Sequence, residues 1–364
     1  MARIAIMHAE LGELRLGPLK LDFPVVQAAL SGYSDLPMRV IARRLGAPYT
    51  LCEVMLDRFI VELKPRRKNR HFLMVAGEEH PTGGQLMGAD PADFGPAARR
   101  LVEHGFDVID INFGCPVKKV LGRCRGGYHL SQPAVALEIV SRVREAVPQN
   151  IPVTVKMRRG IDDSPESREK FFEIFDGAYE RGVAAITVHC RTVHQRYDGP
   201  SRWEFLRELK LYAGERIILG SGDLFSAQAC IDMISYTGVD GVTVARGAIG
   251  NPWIFGQVRA LAAGQPLPDP PTLHEQAAVI REHYRLAEEV YGAERCLPDM
   301  RKFAIKYSQL HPQHREVRDE FCAVRQPGAW RDVLDKWYSV DAPGVHPPVT
   351  EPNPLSSNAP LAVA

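Results

Sequence analysis

Between residues 25 and 260, short apolar runs alternate with helix-length amphipathic stretches, and eight such runs occur. They are Val25–Leu30, Tyr49–Val54, Thr82–Met87, Val108–Phe113, Pro152–Met157, Ala184–His189, Arg216–Gly220 and Gly241–Ala245. They are apolar on successive positions, the pattern of strands buried on both faces. Helical spacing falls between them, at Asp35–Leu45, Pro91–Glu103, Pro133–Ala146, Ser167–Arg181, Ser201–Tyr212, Ser226–Tyr236 and Pro252–Ala262. Asp90 reads as an N-cap before Pro91, and Gly182 as a C-terminal glycine after Arg181. Eight strand–helix units over roughly 240 residues predict an α/β fold, a (β/α)8 TIM barrel. A doubly wound open sheet is the competing architecture, and the repeat count stands against it.

Ahead of the barrel, Leu14, Leu16, Leu19 and Leu21 surround a Gly17–Pro18 turn, a hairpin suited to closing the barrel's lower end. Beyond it, residues 264–271 (GQPLPDPP) are proline-rich and polar, a linker pattern. Leu273–Glu289, Pro298–Leu310, Arg315–Val324 and Ala329–Trp337 then show helical spacing with no strand-like run. The expected organisation is a barrel over residues 1–263, a small all-helical domain over 272–340, and a proline-rich disordered tail over 341–364.

Composition narrows the function classes. Lys plus Arg number 45 and Asp plus Glu 44, a net charge of +1, with 45% hydrophobic and 24% charged residues. These values exclude a disordered chain, a collagen-like fibre and a supercharged nucleic-acid coat. No apolar window of about 18 residues is present, so no membrane span is expected. The start of the chain lacks the pattern of an export signal. Seven scattered cysteines without a CxxC pair suit reduced thiols, so the expected location is the cytoplasm. No metal site is expected, and the chain is expected to be a monomer.

In a barrel of this kind, chemistry sits on the loops after the strands. The loop after the fourth strand holds Asn112-Phe113-Gly114-Cys115-Pro116, and the fifth strand ends in Lys156-Met157-Arg158-Arg159. The sixth ends in His189-Cys190-Arg191-Thr192, the seventh runs into Ser221-Gly222-Asp223, and the eighth into Ala245-Arg246-Gly247. Glycine turns after strands 7 and 8, each opening onto a helix, make a phosphate site, with Arg246 as a bidentate partner. Together they favour a phosphorylated cofactor. Lys156 and His189, on adjacent strand ends beside it, suit a flavin or nucleotide.

Cys115 follows a strand end between Gly114 and Pro116, with Lys118 and Lys119 close behind, a setting for an available thiol. Cys124 in the same loop is its rival. Basic clusters at Lys64–His71, Lys118–Arg125 and Lys156–Arg159 all fall on loops of one barrel face, which suits a polyanionic substrate. The helical segment adds Arg301, Lys302, Lys306 and Arg315, with Phe303 and Tyr307 between them.

At these residues the chain resembles the tRNA-dihydrouridine synthase family. The stretch Asp110-Ile-Asn-Phe-Gly-Cys-Pro-Val-Lys-Lys-Val120 is close to that family's signature. Gly84-Gln85-Leu86, Val153–Arg158, Thr187–Thr192, Ser221–Asp223 and Arg246–Trp253 support it. The resemblance implies an FMN-binding barrel followed by a helical domain that holds tRNA, with NADPH or NADH as reductant. It implies that Cys115 protonates uracil C5 while reduced FMN gives a hydride to C6. Asn112 would lie by the uracil, and Arg191, Arg301 and Lys302 would also face the substrate. Ala29, Leu30 and Ser31 would line the flavin, and Gln85 and Lys156 would bond its ring. His189, Ser221, Gly222, Asp223, Ala245 and Arg246 would hold the ribityl chain and phosphate. The chain departs from the family at Ala29-Leu30-Ser31, Ser221, Ala245 and, in the cysteine loop, at Tyr128-His129, where the family has small residues. A dihydroorotate-dehydrogenase-like oxidoreductase and an RNA-binding protein on a degenerate barrel are the rival readings.

Overall fold

Runs buried on both faces belong at the centre of a fold, and the structure puts them there. It is a computed structural model and describes residues 11–64, 66 and 69–348. The strands are β1 (Val25–Gln27), β2 (Thr50–Leu51), β3 (Thr82–Met87), β4 (Val108–Phe113), β5 (Val153–Arg158), β6 (Ala185–His189), β7 (Ile218–Ser221) and β8 (Gly241–Val244). All neighbours are parallel, and Val242 paired with Val25 and Thr50 paired with Thr82 help close the ring. A two-residue strand, Met55–Leu56, adds to β3. Helices cover the outside, so the fold is the expected TIM barrel.

Local chemistry sets the helix ends. The Asp90 and Ser164 side chains accept from the Ala92 and Ser167 amides and start the helices Pro91–Glu103 and Pro165–Glu180. Gly182, at φ +81°, takes the left-handed turn that leads the second helix back to β6.

The two ends of the barrel differ. At the lower end, antiparallel Leu14–Leu16 and Leu19–Leu21 form the expected hairpin. Leu14, Leu16 and Leu21 are buried against Val26, Tyr49, Leu51, Val108, Ala185 and Leu219 and plug the barrel. Each such side chain contributes roughly 1.5–3 kcal/mol by leaving water.

Past the barrel run four helices, Leu273–Tyr291, Ala293–Tyr307, His314–Ala323 and Pro327–Trp337. The second starts five residues before the expected Pro298, which therefore lies inside the helix as its sixth residue. Although residues 264–271 read as a linker, the helices share one apolar core with the barrel, including Phe255, Ile280 and Phe303. The Tyr291 hydroxyl donates to Asp35 Oδ2 at 2.9 Å, and Arg44 pairs with Glu282 at 2.6 Å. Gln309 Nε2 donates to the Ile249 carbonyl at 3.1 Å, and Gly250 packs on the backbone of Lys306 with no room for a side chain.

Residues 341–348 fall in the stretch expected to be a disordered tail, yet they are held in place. The Ala342 carbonyl accepts from Leu273 N–H, and Val345 N–H donates to the Leu310 carbonyl, both at 2.9 Å. These backbone bonds, rather than a side-chain pattern visible in sequence, fix the segment. Residues 1–10 and 349–364, and positions 65, 67 and 68 of the first basic cluster, lie outside the described residues.

Candidate active site

At the upper end the strand ends open into a cavity of ≈ 620 Å³. Gln85 and Asn112 line it and belong to a chain of side-chain hydrogen bonds that runs back into the barrel, set by strand register, which pairs Gln85 with Asp110 and Asn112 with Lys156. Thr154 Oγ1 and Gln85 Nε2 both donate to the Asp110 carboxylate at 2.6 Å, and Asn112 Nδ2 donates to Gln85 Oε1 at 2.7 Å. Burial raises the Asp110 carboxyl above its ordinary pKa, and these hydrogen bonds counter part of the rise.

The same network fixes the cysteine loop. Asn112 Oδ1 accepts from the backbone N–H of Gly114 at 2.9 Å and of Cys115 at 3.1 Å. Arg158 Nε donates to the Gly114 carbonyl at 2.9 Å, and its Nη1 donates to the Thr192 and Arg196 carbonyls at 2.7 Å. One guanidinium therefore ties the cysteine loop to the loop after β6. Burial pushes the Cys115 thiol above its usual pKa, only partly offset by the Val117 amide and the charges of Arg158 and Lys156. At neutral pH the group is a thiol, able to give a proton. Cys124 is exposed, adopts φ +54° and does not line the cavity.

Around the wall stand Lys156, Arg158, His189, Arg246 and Lys306, and no aspartate or glutamate lines the cavity among the described residues. Desolvation, with Arg158 nearby, brings Lys156 down to about 8. Desolvation and four neighbouring cations hold His189 well below its usual value, so the ring is neutral. Its Nδ1 accepts from Arg191 N–H at 3.2 Å, which leaves the proton on Nε2. Arg246 stacks between the rings of Tyr197 and Phe225, 4.9 and 4.8 Å from their centroids.

Of the residues singled out in sequence, Ala29, Leu30, Ser31, Gln85, Asn112, Cys115, Lys156, His189, Ser221, Ala245 and Arg246 meet at this cavity. Gly222, Asp223, Arg191, Arg301 and Lys302 are not among its lining residues. Arg191 and Asp223 form a buried bidentate ion pair, at 2.7 and 3.0 Å, and Asp223 Oδ2 also accepts from Ser201 N–H. Their charges are spent on joining the loops after β6 and β7. Arg301 donates to the Val324 carbonyl, and Lys302 pairs with Asp299 at 2.9 Å.

The sequence of the family described as Dihydrouridine synthase (Dus) matches residues 26–339. The chain belongs to the dihydrouridine synthase family. It is therefore an oxidoreductase. It is 35% identical over 332 residues to a probable tRNA-dihydrouridine synthase of Mycobacterium tuberculosis (strain ATCC 25618 / H37Rv), covering 89% of this chain and 84% of the relative. It is 35% identical over 317 residues to tRNA-dihydrouridine synthase B of Pseudomonas aeruginosa, covering 87% and 93%. Among solved structures, histamine dehydrogenase from Rhizobium sp. 4-9 shares the fold at a TM-score of 0.55 and 14% identity, over 77% of this chain and 51% of that one. Morphinone reductase does so at 0.53 and 14%, over 72% and 92%.

This family member also brings residues to the cavity that sequence reasoning had not assigned to it. Tyr33, Tyr197 and Phe225 line it, as do Lys306 and Gln309 from the helical layer and Pro347-Pro348 from the C-terminal segment. Arg158 and Lys306 were visible only as members of basic clusters. Nothing in the local pattern marks the others, whose place depends on how distant segments pack.

Proposed function

We propose that this protein reduces the C5–C6 double bond of uridine in tRNA, with bound FMN and with NADPH or NADH as reductant. The observation that carries the reading is a cavity walled by cations, free of carboxylates among the described residues, with one thiol held at its edge. Such a wall suits a flavin phosphate and an RNA backbone and disfavours cationic metabolites. The cavity volume lies within the usual range for a cofactor site.

FMN, when bound, supplies the hydride that adds to uracil C6. The chain does the rest. Ser221, Ala245 and Arg246 would hold the phosphate end, with Gly222 and Asp223 shaping the turn behind Ser221 rather than touching the group. His189 presents its Nε2–H, and Ala29, Leu30, Ser31, Gln85 and Lys156 border the ring. Asn112 keeps the cysteine backbone fixed beside the uracil. Cys115 gives its Sγ proton to C5, and the raised thiol pKa keeps that proton in place at neutral pH until the carbon needs it. The uridine has to leave its stack to reach this depth, and the basic rim holds the phosphates on either side.

Purified flavin-loaded protein incubated with NADPH and tRNA lacking dihydrouridine should add two hydrogens to defined uridines, read by mass spectrometry. Unchanged tRNA, with NADPH still oxidised by oxygen, would contradict the assignment of the substrate but not that of the flavin.

A further inference from the structure

The loop that carries Cys115 returns to the barrel through a 3-10 turn, Gly126–Ser131. That turn lies directly against the cysteine. Gly127 N–H donates to the Cys115 carbonyl at 3.1 Å. A Cβ at Gly126 would stand 2.8 Å from Cys115 Cβ, and one at Gly127 would stand 3.0 Å from the Cys115 carbonyl oxygen. At such distances the cysteine backbone goes where the turn goes.

Within the turn, His129 is buried, 1% exposed. Its Nε2 lies 2.9 Å from the Gly88 carbonyl, just beyond β3. A carbonyl can only accept, so Nε2 carries the proton. Burial lowers the His129 pKa, so the ring is neutral and Nδ1 is bare, and Nδ1 has no hydrogen-bond partner. The ring packs beside Phe113, centroids 5.3 Å apart. A buried imidazole with one orphaned nitrogen is a poor space-filler, since an apolar side chain would avoid that cost. What the imidazole adds is the N–H donated across to the end of the neighbouring strand. His129 does not line the cavity.

We propose that His129 is a positioning residue for Cys115: its bond to the Gly88 carbonyl pins the Gly126–Ser131 turn to the end of β3 and so fixes the thiol at the cavity edge. The proposal rests on the reading of Cys115 as proton donor.

The test compares His129→Leu, which fills the space without a donor, with His129→Gln, which returns an N–H at similar reach. Both are made in the full-length, flavin-loaded protein. His129→Leu should keep flavin occupancy and the KM for tRNA while kcat falls about tenfold, the scale of a sub-ångström misplacement. Alkylation of Cys115 by iodoacetamide, followed peptide by peptide, should change rate several-fold in the same variant. His129→Gln should restore both. Wild-type kcat and alkylation in His129→Leu overturn the proposal, as does a folded His129→Gln no better than His129→Leu, which would make the role one of packing. Should His129→Leu fail to fold, His129→Met carries the same comparison. Cys115→Ala run in parallel separates the two readings: full turnover there refutes the proton donor, while the alkylation of Cys115 in the His129 variants still reports on the turn.

Discussion

The two ends of the barrel are built from opposite materials. The lower end is closed by Leu14, Leu16 and Leu21, which pack into one hydrophobic cluster. The upper end gathers Lys156, Arg158, His189, Arg246 and Lys306 around open space. Burial and mutual repulsion shift the first three toward their uncharged forms, with Arg158 brought down to about 10. The difference teaches where stability and function reside. One end lowers the free energy of the fold, while the other holds like charges together at a cost that an anionic ligand can relieve.

Substitutions at the two ends should therefore have different consequences. The largest expected effect on stability is at the plug. Leu16→Ala should cost about 3 kcal/mol in denaturant unfolding, while flavin retention per folded molecule stays unchanged. Loss of flavin in the still-folded variant would show that the two ends are coupled.

A smaller effect is expected from Arg246→Ala. It removes a charge-assisted phosphate contact, so flavin affinity should fall about tenfold or more, with little loss of stability. Unchanged affinity by fluorescence titration would take Arg246 out of the phosphate site.

The smallest effect concerns pH. Lys156 titrates near 8 in the folded protein, against about 10.4 when unfolded. Below pH 8 both states hold the proton and the folded state bears the full cost of the charge. Between about 8 and 10.4 the unfolded state holds more protons, so stability rises with pH. Apo protein should therefore gain stability relative to Lys156→Met across that window, and saturating FMN should flatten the difference. A flat difference in the apo protein would mean that Lys156 is well solvated.

Much of this contrast was legible in the sequence. Thr82–Met87 and Val108–Phe113 coincide with β3 and β4, because a run buried on both faces has nowhere else to go. Val25–Leu30 and Tyr49–Val54 yield shorter strands, since the chain bends away after Gln27 and Leu51 to line or border the cavity. The helix Asp57–Glu62 and the 3-10 turns Arg70–Leu73 and Gly77–Glu79 were missed, being too short to show a period. In the site, Lys156 and His189 could be placed by counting along strands. Arg191 and Asp223 could not, because a charge 32 residues from its partner looks the same whether it meets a ligand or an ion pair. Tyr197, Gln309 and Pro347-Pro348 reach the cavity only through tertiary packing.

The central claim is that a proton leaves Cys115 for C5 of a uridine at the charged end. Single-turnover reduction of tRNA by pre-reduced protein tests it most directly, comparing Cys115→Ala with Cys124→Ala. The account predicts that Cys115→Ala keeps its flavin and its oxidation by oxygen while uridine reduction slows by roughly 10²-fold or more, the usual size of a lost general acid. Cys124→Ala, altered at an exposed thiol outside the cavity, should match the wild type. Rapid reduction by Cys115→Ala, with activity lost in Cys124→Ala, would contradict it.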